Sequence, residues 1–144
     1  MDGNDIIRSI ALMHDRSNGL GGGFAAYGIY PRRSDLYAFH MMFDDMAAKE
    51  RCEEHFKDRF DIVLDEEMPT RPGGAYEGAT AGRYEEHGVQ PITDPPILWR
   101  YFMDVPEDKT RFVSEREYVV EKVMEINSGI DGAFVASSGK NMGA

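Results

Sequence analysis

Apolar positions fall at helical spacing in some stretches and cluster at strand length in others, and this pattern lays out most of the chain. Between residues 5 and 15, Ile7, Ile10, Ala11 and His14 recur at i, i+3, i+4 and i+7, with Asn4 or Asp5 placed to cap, which predicts a helix. The glycines at 19, 21, 22 and 23 end it. Phe24 to Tyr30 reads as a strand closed by Pro31, Pro31 to Asp35 as a turn, and Leu36 to Phe43 as a second strand rich in aromatic residues and methionine. The spacing permits an antiparallel pair of these two strands across a turn longer than a tight hairpin. Ala48, Cys52, Phe56 and Phe60 lie four apart and predict a helix from about Met46 to Phe60, followed by a short strand from Asp61 to Asp65.

Residues 66 to 96 differ in kind. They hold Pro69, Pro72, Pro91, Pro95 and Pro96 together with Gly73, Gly74, Gly78, Gly82 and Gly88, and few aliphatic residues. Such a length without a strong element exceeds the usual connection in a compact domain, so this is an excursion over the surface or a segment ordered from outside. Leu98 to Met103 returns to the core, with Trp99 and Phe102 as anchors. Ser114 and Glu117 form a capping box for a helix from Glu115 to about Asn127, with Val119, Val120, Val123 and Met124 predicted along its buried face. Asp131-Gly132 turns the chain into a strand from Ala133 to Ser137. The order of elements favours a layered α+β domain occupying residues 1–144.

Charge removes several function classes. Lys and Arg number 16 against 26 Asp and Glu, a formal charge of −10, whereas nucleic acid and anionic membrane are held by dense cationic surfaces. The expected partners therefore include no nucleic acid and no membrane. No apolar run approaches the roughly 18 residues a membrane span needs. One cysteine fits a reducing compartment, Met1-Asp2-Gly3-Asn4 does not read as a signal peptide, and the expected location is cytoplasmic. Ile, Leu, Val and Phe make up only 30 of 144 residues, close to the proportion at which a core becomes hard to fill. Nine Met and seven Tyr compensate in part.

Read residue by residue, the candidate chemistry is incomplete. Gly19-Leu20-Gly21-Gly22-Gly23 follows a helix and precedes a strand, the reverse of a phosphate-binding loop, and suits a close backbone crossing better. Gly139-Lys140 lacks the spacing of a P-loop. Cys52 sits among Glu50, Glu53 and Glu54, which work against a thiolate, so core packing is the expectation. His14, His40, His55 and His87 form no metal-ligand spacing, although an acid–base role stays open for each. Asp44-Asp45 and Asp65-Glu66-Glu67 could hold a cation or pair as acid and base, but such clusters are more often surface or helix starts. The expectation is no metal and no complete catalytic constellation.

The stretch Met13-His14-Asp15-Arg16-Ser17-Asn18-Gly19-Leu20-Gly21-Gly22-Gly23-Phe24-Ala25-Ala26-Tyr27-Gly28-Ile29-Tyr30-Pro31 resembles the first half of the class II glutamine amidotransferase domain. The branch it is most similar to is the stand-alone subunit of archaeal-type glutamate synthases and the related N-methylglutamate synthases. Tyr37-Ala38-Phe39-His40, Asp65-Glu66-Glu67, Leu98-Trp99-Arg100-Tyr101-Phe102 and Ile130 to Gly143 agree in order, so the resemblance covers nearly the whole chain. It implies an N-terminal-nucleophile fold of four αββα layers with antiparallel sheets, and a structural role for Arg16, Asn18, Gly19, Gly21, Gly22 and Gly23. It further implies glutamine as substrate, attacked by an N-terminal cysteine whose α-amine is the base, with ammonia passed to a synthase subunit. FMN and an iron–sulfur cluster belong to that partner, and no cofactor is expected in this chain.

The family opens on Cys-Gly-Ile ahead of the first helix and continues past Gly143 into pocket-forming strands, and it carries Gly where this sequence has Ser17. This sequence opens on Met1-Asp2-Gly3. The 144 residues are therefore expected to be catalytically incomplete, with part of a sheet face or edge left exposed. Two other readings compete. One is a non-catalytic remnant that binds another protein through its acidic helix at 50–59 or its Pro/Gly excursion. The other is a free-standing α+β protein that binds a small ligand.

Overall fold

The computed structural model describes residues 4–12, 25–69, 75–76, 79–80 and 96–143. Helix α1 spans Asn4–Ala11. It covers the first part of the helix predicted over 5–15, whose end lies outside the described residues. After β1 (Ala26–Tyr27), a 3-10 turn at Pro31–Arg33 leads into β2 (Tyr37–Phe43). Then come α2 (Met46–Phe56), β3 (Asp61–Glu67), the short strands β4 (Ala75–Tyr76) and β5 (Ala79–Thr80), β6 (Ile97–Asp104), α3 (Glu115–Gly129), β7 (Ala133–Lys140) and β8 (Met142–Gly143). Of the Pro/Gly-rich excursion, only its ends and the β4–β5 pair are described, and the rest lies outside the described residues.

Four strands form an antiparallel sheet in the order β3-β6-β2-β7. Side chains alternate across it, so Tyr37, Phe39, Met41 and Phe43 of β2 and Tyr101 and Met103 of β6 face one way. Helices α2 and α3 lie on that face. Ala48, Cys52 and Phe56 of α2 and Tyr118, Val119 and Ile126 of α3 complete the core with Phe60. Its centre is a run of edge-to-face rings, with Phe39, Phe60 and Tyr101 each against Phe56 and Tyr118 against Phe60. The predicted α2 stripe of Ala48, Cys52, Phe56 and Phe60 is buried throughout, although the helix stops at Phe56 and Asp58 takes a left-handed φ of 48°. The described residues thus make an α+β arrangement with a helix layer on one side of an antiparallel sheet.

Two expectations are corrected. Of the stretch predicted as a strand from Phe24 to Tyr30, the described part from Ala25 does not pair with β2: both edges of β2 are taken, by β6 and β7, and the two-residue β1 pairs with β8 instead. Gly28, at φ +76°, breaks the strand after Tyr27 and turns Tyr30 back onto the sheet. The buried face of α3 is also rotated from the predicted one. The capping box at Ser114 and Glu117 forms as expected, and Val119 is buried with Val123 packed against the core. Val120 and Met124, however, are 54% and 63% exposed. Tyr118, Lys122 and Ile126 take their places, and Lys122 keeps its charge by reaching Glu121 and Glu125 at the helix surface.

Candidate functional site

The sheet face away from α2 and α3 carries a transverse row of polar side chains. Glu66 of β3 stands opposite Arg100 of β6, Arg100 opposite His40 of β2, and His40 opposite Ser137 of β7. One residue comes from each strand. Two irregularities in the ladders set this row. In β3–β6 the register shifts between Ile62 and Leu64, which brings Glu66 rather than Asp65 opposite Arg100. In β2–β7 it shifts between His40 and Met41, which brings Ser137 rather than Ala136 opposite His40.

Tyr30 closes the row from above. Its ring stacks on His40 at 5.9 Å and 22° and meets Phe102 edge-on at 4.9 Å. Arg100 Nη1 donates to Tyr30 Oη at 3.0 Å, and its Nε donates to Glu66 Oε1 at 2.9 Å, with Nη2 closing the same ion pair. Arg100 can only donate, so Tyr30 Oη accepts from it, and in the Nδ1–H tautomer of His40 the phenol gives its own hydrogen to Nε2, 2.7 Å away. Nδ1 then carries the ring proton and gives it to Ser137 Oγ at 2.9 Å. The result is one connected chain, Ser137–His40–Tyr30–Arg100–Glu66.

Its electrostatics follow from burial. His40 is 4% exposed, and that burial, reinforced by the Arg100 charge, holds its imidazole below the ordinary histidine value. Burial opposes the Arg100 charge as well, but its hydrogen bonds to Glu66 and Tyr30 outweigh this and raise the guanidinium above its usual value. The row therefore holds a neutral ring beside a fixed cation. A neutral imidazole between a phenol and a hydroxyl can relay a proton along its two nitrogens, and the guanidinium fixes the phenol that orients it.

The segment bearing Tyr30 is tied down by the turn between β7 and β8. Asn141, at φ 54°, accepts the Gly28 amide on its carbonyl at 2.7 Å and the Tyr30 amide on its side chain at 2.8 Å. Gly143 follows so tightly that a Cβ there would come within 2.7 Å of His40 Cε1. Below the row the same face is partly exposed among the described residues. Met42 and its cross-strand partner Phe134 are 36% and 53% exposed.

The other candidates resolve differently. His55 Nε2 lies 3.2 Å from Glu125 Oε2 on the helix side, in poor alignment for a hydrogen bond, and burial first and Arg59 second lower its pKa. His14 and His87 lie outside the described residues, as do Arg16, Asn18, Gly19, Gly21, Gly22 and Gly23. Asp45 caps α2 by accepting from the Ala48 amide at 2.7 Å. The run Asp65-Glu66-Glu67 is split by strand alternation, with Asp65 taking the Trp99 indole N–H at 3.1 Å on the helix side. Among the described residues no group of three His, Cys, Asp or Glu could hold a metal, and no helix is long and apolar enough to cross a membrane. Lys140 pairs with Glu115 at 2.9 Å. A surface depression lined by Asp58, Arg59, Lys109, Tyr118 and Lys122 has its cations matched by Asp108, Glu121 and Glu125.

Cys52 is fully buried, and burial first and Glu53 second push its thiol up to about 12. In the native protein at pH 8 a water-soluble disulfide reagent is expected to leave this thiol unmodified, and to titrate it in full after denaturation. Rapid native modification would mean that α2 does not pack as described.

A relative from Archaeoglobus fulgidus, described as an uncharacterized protein, is 44% identical over 145 residues, which is 98% of this chain and 34% of the relative. The chain thus spans about a third of the length of that curated relative. No family model and no solved structure matches.

Proposed function

We propose that these 144 residues are a segment of a class II glutamine amidotransferase domain of the glutamate synthase type, which supplies ammonia from glutamine. The observation that supports this reading is convergence. Each of the five stretches that carry the resemblance contributes one member to the polar row: Tyr30, His40, Glu66, Arg100 and Ser137. Stretches alike by accident have no reason to meet in one hydrogen-bonded chain. The layering is compatible as well. A helix layer on an antiparallel sheet, with a partly open opposite face, corresponds to half of a four-layer αββα sandwich.

On this reading the row braces the sheet that underlies the glutamine pocket, while the nucleophile comes from an N-terminal cysteine. Cys52, the one thiol in this sequence, is too deeply buried and too weakly acidic to replace it. The 144 residues alone are accordingly proposed to be inactive, with ammonia delivered to a synthase subunit that carries FMN and an iron–sulfur cluster. The test uses the full-length archaeal relative beside the 144-residue chain. Each is treated with glutamine, read as glutamate released, and with a glutamine-analogue diazoketone, read by mass spectrometry as a covalent thiol adduct. Release and one adduct on the relative, with neither on the short chain, are the expected results. A relative that releases no glutamate and takes no adduct overturns the reading.

A further inference from the structure

We propose that residues 25–36 form a strap latched over the polar row through Tyr30 and His40, and that protonation of His40 releases it. Among the described residues, the strap is held by the β1–β8 ladder at Ala26 and Tyr27, the Gly28 and Tyr30 amides on Asn141, Ile29 beside Gly143, the Tyr30 ring and hydroxyl on His40, Phe102 and Arg100, and Arg33 over the Phe102 ring at 4.9 Å. Several of these holds converge on Tyr30.

The latch is sensitive to one proton because His40 is enclosed on every described side. Tyr30 lies over it, Arg100 of β6 and Ser137 of β7 flank it, and Gly143 of β8 leaves no room beside Cε1. Glu66, the one carboxylate in the row, is engaged by Arg100 and stands two strands away from the ring. Protonation turns Nε2 from acceptor to donor, so the phenol oxygen must accept from the ring as well as from Arg100, and its own hydrogen loses its acceptor in the row. It also sets an imidazolium beside the Arg100 guanidinium in a nearly dry site. Opening the strap admits water to both cations and relieves the conflict.

The direction of the pH effect follows from the sign of the shift. His40 is held below the ordinary histidine value of about 6.5 while the strap encloses it, so the closed strap binds fewer protons than the open one. The latch therefore has its full strength above about pH 6.5 and weakens as pH falls from there toward the closed-state value. His55 is shifted the same way, but on the helix side, and it adds to the acid loss of global stability. The experiment must separate local from global opening.

Amide hydrogen exchange on the full 144-residue chain does so, read at Gly28 and Tyr30 against the central amides of β2 between pH 7.5 and 5. Expressed as protection factors, the strap amides are expected to lose roughly tenfold for each pH unit between the open-state and closed-state values, while β2 stays protected. His40→Gln cannot take the proton and is expected to abolish the pH dependence. Tyr30→Phe is expected to lower strap protection about fivefold already at pH 7.5, the worth of one hydrogen bond, without affecting β2. Strap protection that is constant with pH, that falls only in step with β2, that keeps its pH dependence in His40→Gln, or that is unchanged in Tyr30→Phe overturns the proposal.

Discussion

Phe56→Ala is expected to cost about 3–5 kcal/mol, the largest loss from any single side chain of the helix-side core. Phe56 is fully buried and meets Phe39, Phe60 and Tyr101 edge-to-face, so truncation removes three ring contacts as well as apolar burial. The cavity cannot collapse easily. The sheet below it is fixed by β2, with neighbours on both edges, and the helix above is pinned by its Asp45 cap and by the Arg51 guanidinium on the Asp131 carbonyl. A domain of this size rarely has more than about 15 kcal/mol to lose, so a fall in Tm of roughly 10–15 °C is expected. The same thermal melts test the rotation of α3. Ile126→Ala is expected to cost about 2–5 kcal/mol, while Val120→Ala and Met124→Ala stay within about 0.5 kcal/mol, because those side chains already meet water. If Met124→Ala proves as costly as Ile126→Ala, the face of α3 is assigned wrongly.

That contrast also marks where the sequence stops being informative. The α2 stripe is legible because every fourth residue is apolar and nothing competes with it. On α3, apolar residues occupy Val119, Val120, Val123 and Met124 while the buried set includes Lys122, and no pattern in the chain says that a lysine will lie inward with its charge led out to Glu121 and Glu125. Strand pairing was hidden for a related reason. Phe24 to Tyr30 looks like a strand by composition, but one left-handed glycine ends it and the true neighbours of β2 come from far along the chain.

The polar row was half visible. His40 and Glu66 are among the candidates the sequence offers, but nothing in it sets His40 apart from the other histidines or Glu66 from the neighbouring carboxylates. Arg100, Ser137 and Tyr30 entered only as members of resembling stretches. A usable signal was present: His40 in Tyr-Ala-Phe-His-Met-Met-Phe and Arg100 in Ile-Leu-Trp-Arg-Tyr-Phe-Met are each a lone polar residue inside an apolar strand, and burial demands a partner for both. What could not be read is the pairing itself. It depends on two register shifts, each of which changes the residue that faces the row, and bulges answer to the assembled sheet rather than to local composition.

Arg100→Met is expected to cost about 2 kcal/mol and to raise the pKa of His40 toward its ordinary value, two effects with different causes. The stability loss comes from the fork. Arg100 holds Glu66 through Nε and Nη2 and Tyr30 through Nη1, and its guanidinium lies 5.1 Å from the Tyr30 ring and 5.5 Å from the Phe102 ring. The Glu66 carboxylate is about two-fifths exposed and can return to water, so most of the loss falls on Tyr30 and the rings rather than on the ion pair. The titration effect comes from the charge, since the guanidinium reinforces the burial that keeps His40 neutral. Arg100→Lys separates the two. A lysine keeps a cation beside the ring but loses the planar fork, so His40 should titrate nearly as in the native protein while part of the stability is lost. Glu66→Gln should cost under about 1 kcal/mol, because Arg100 keeps its hydrogen bond to Tyr30. Denaturant melts give the energies, and the ring Cε1 resonance followed by NMR against pH gives the titration. An unchanged His40 titration in Arg100→Met would mean that burial alone depresses the ring, and the guanidinium would then be an anchor for Tyr30 with no part in the proton balance of the row.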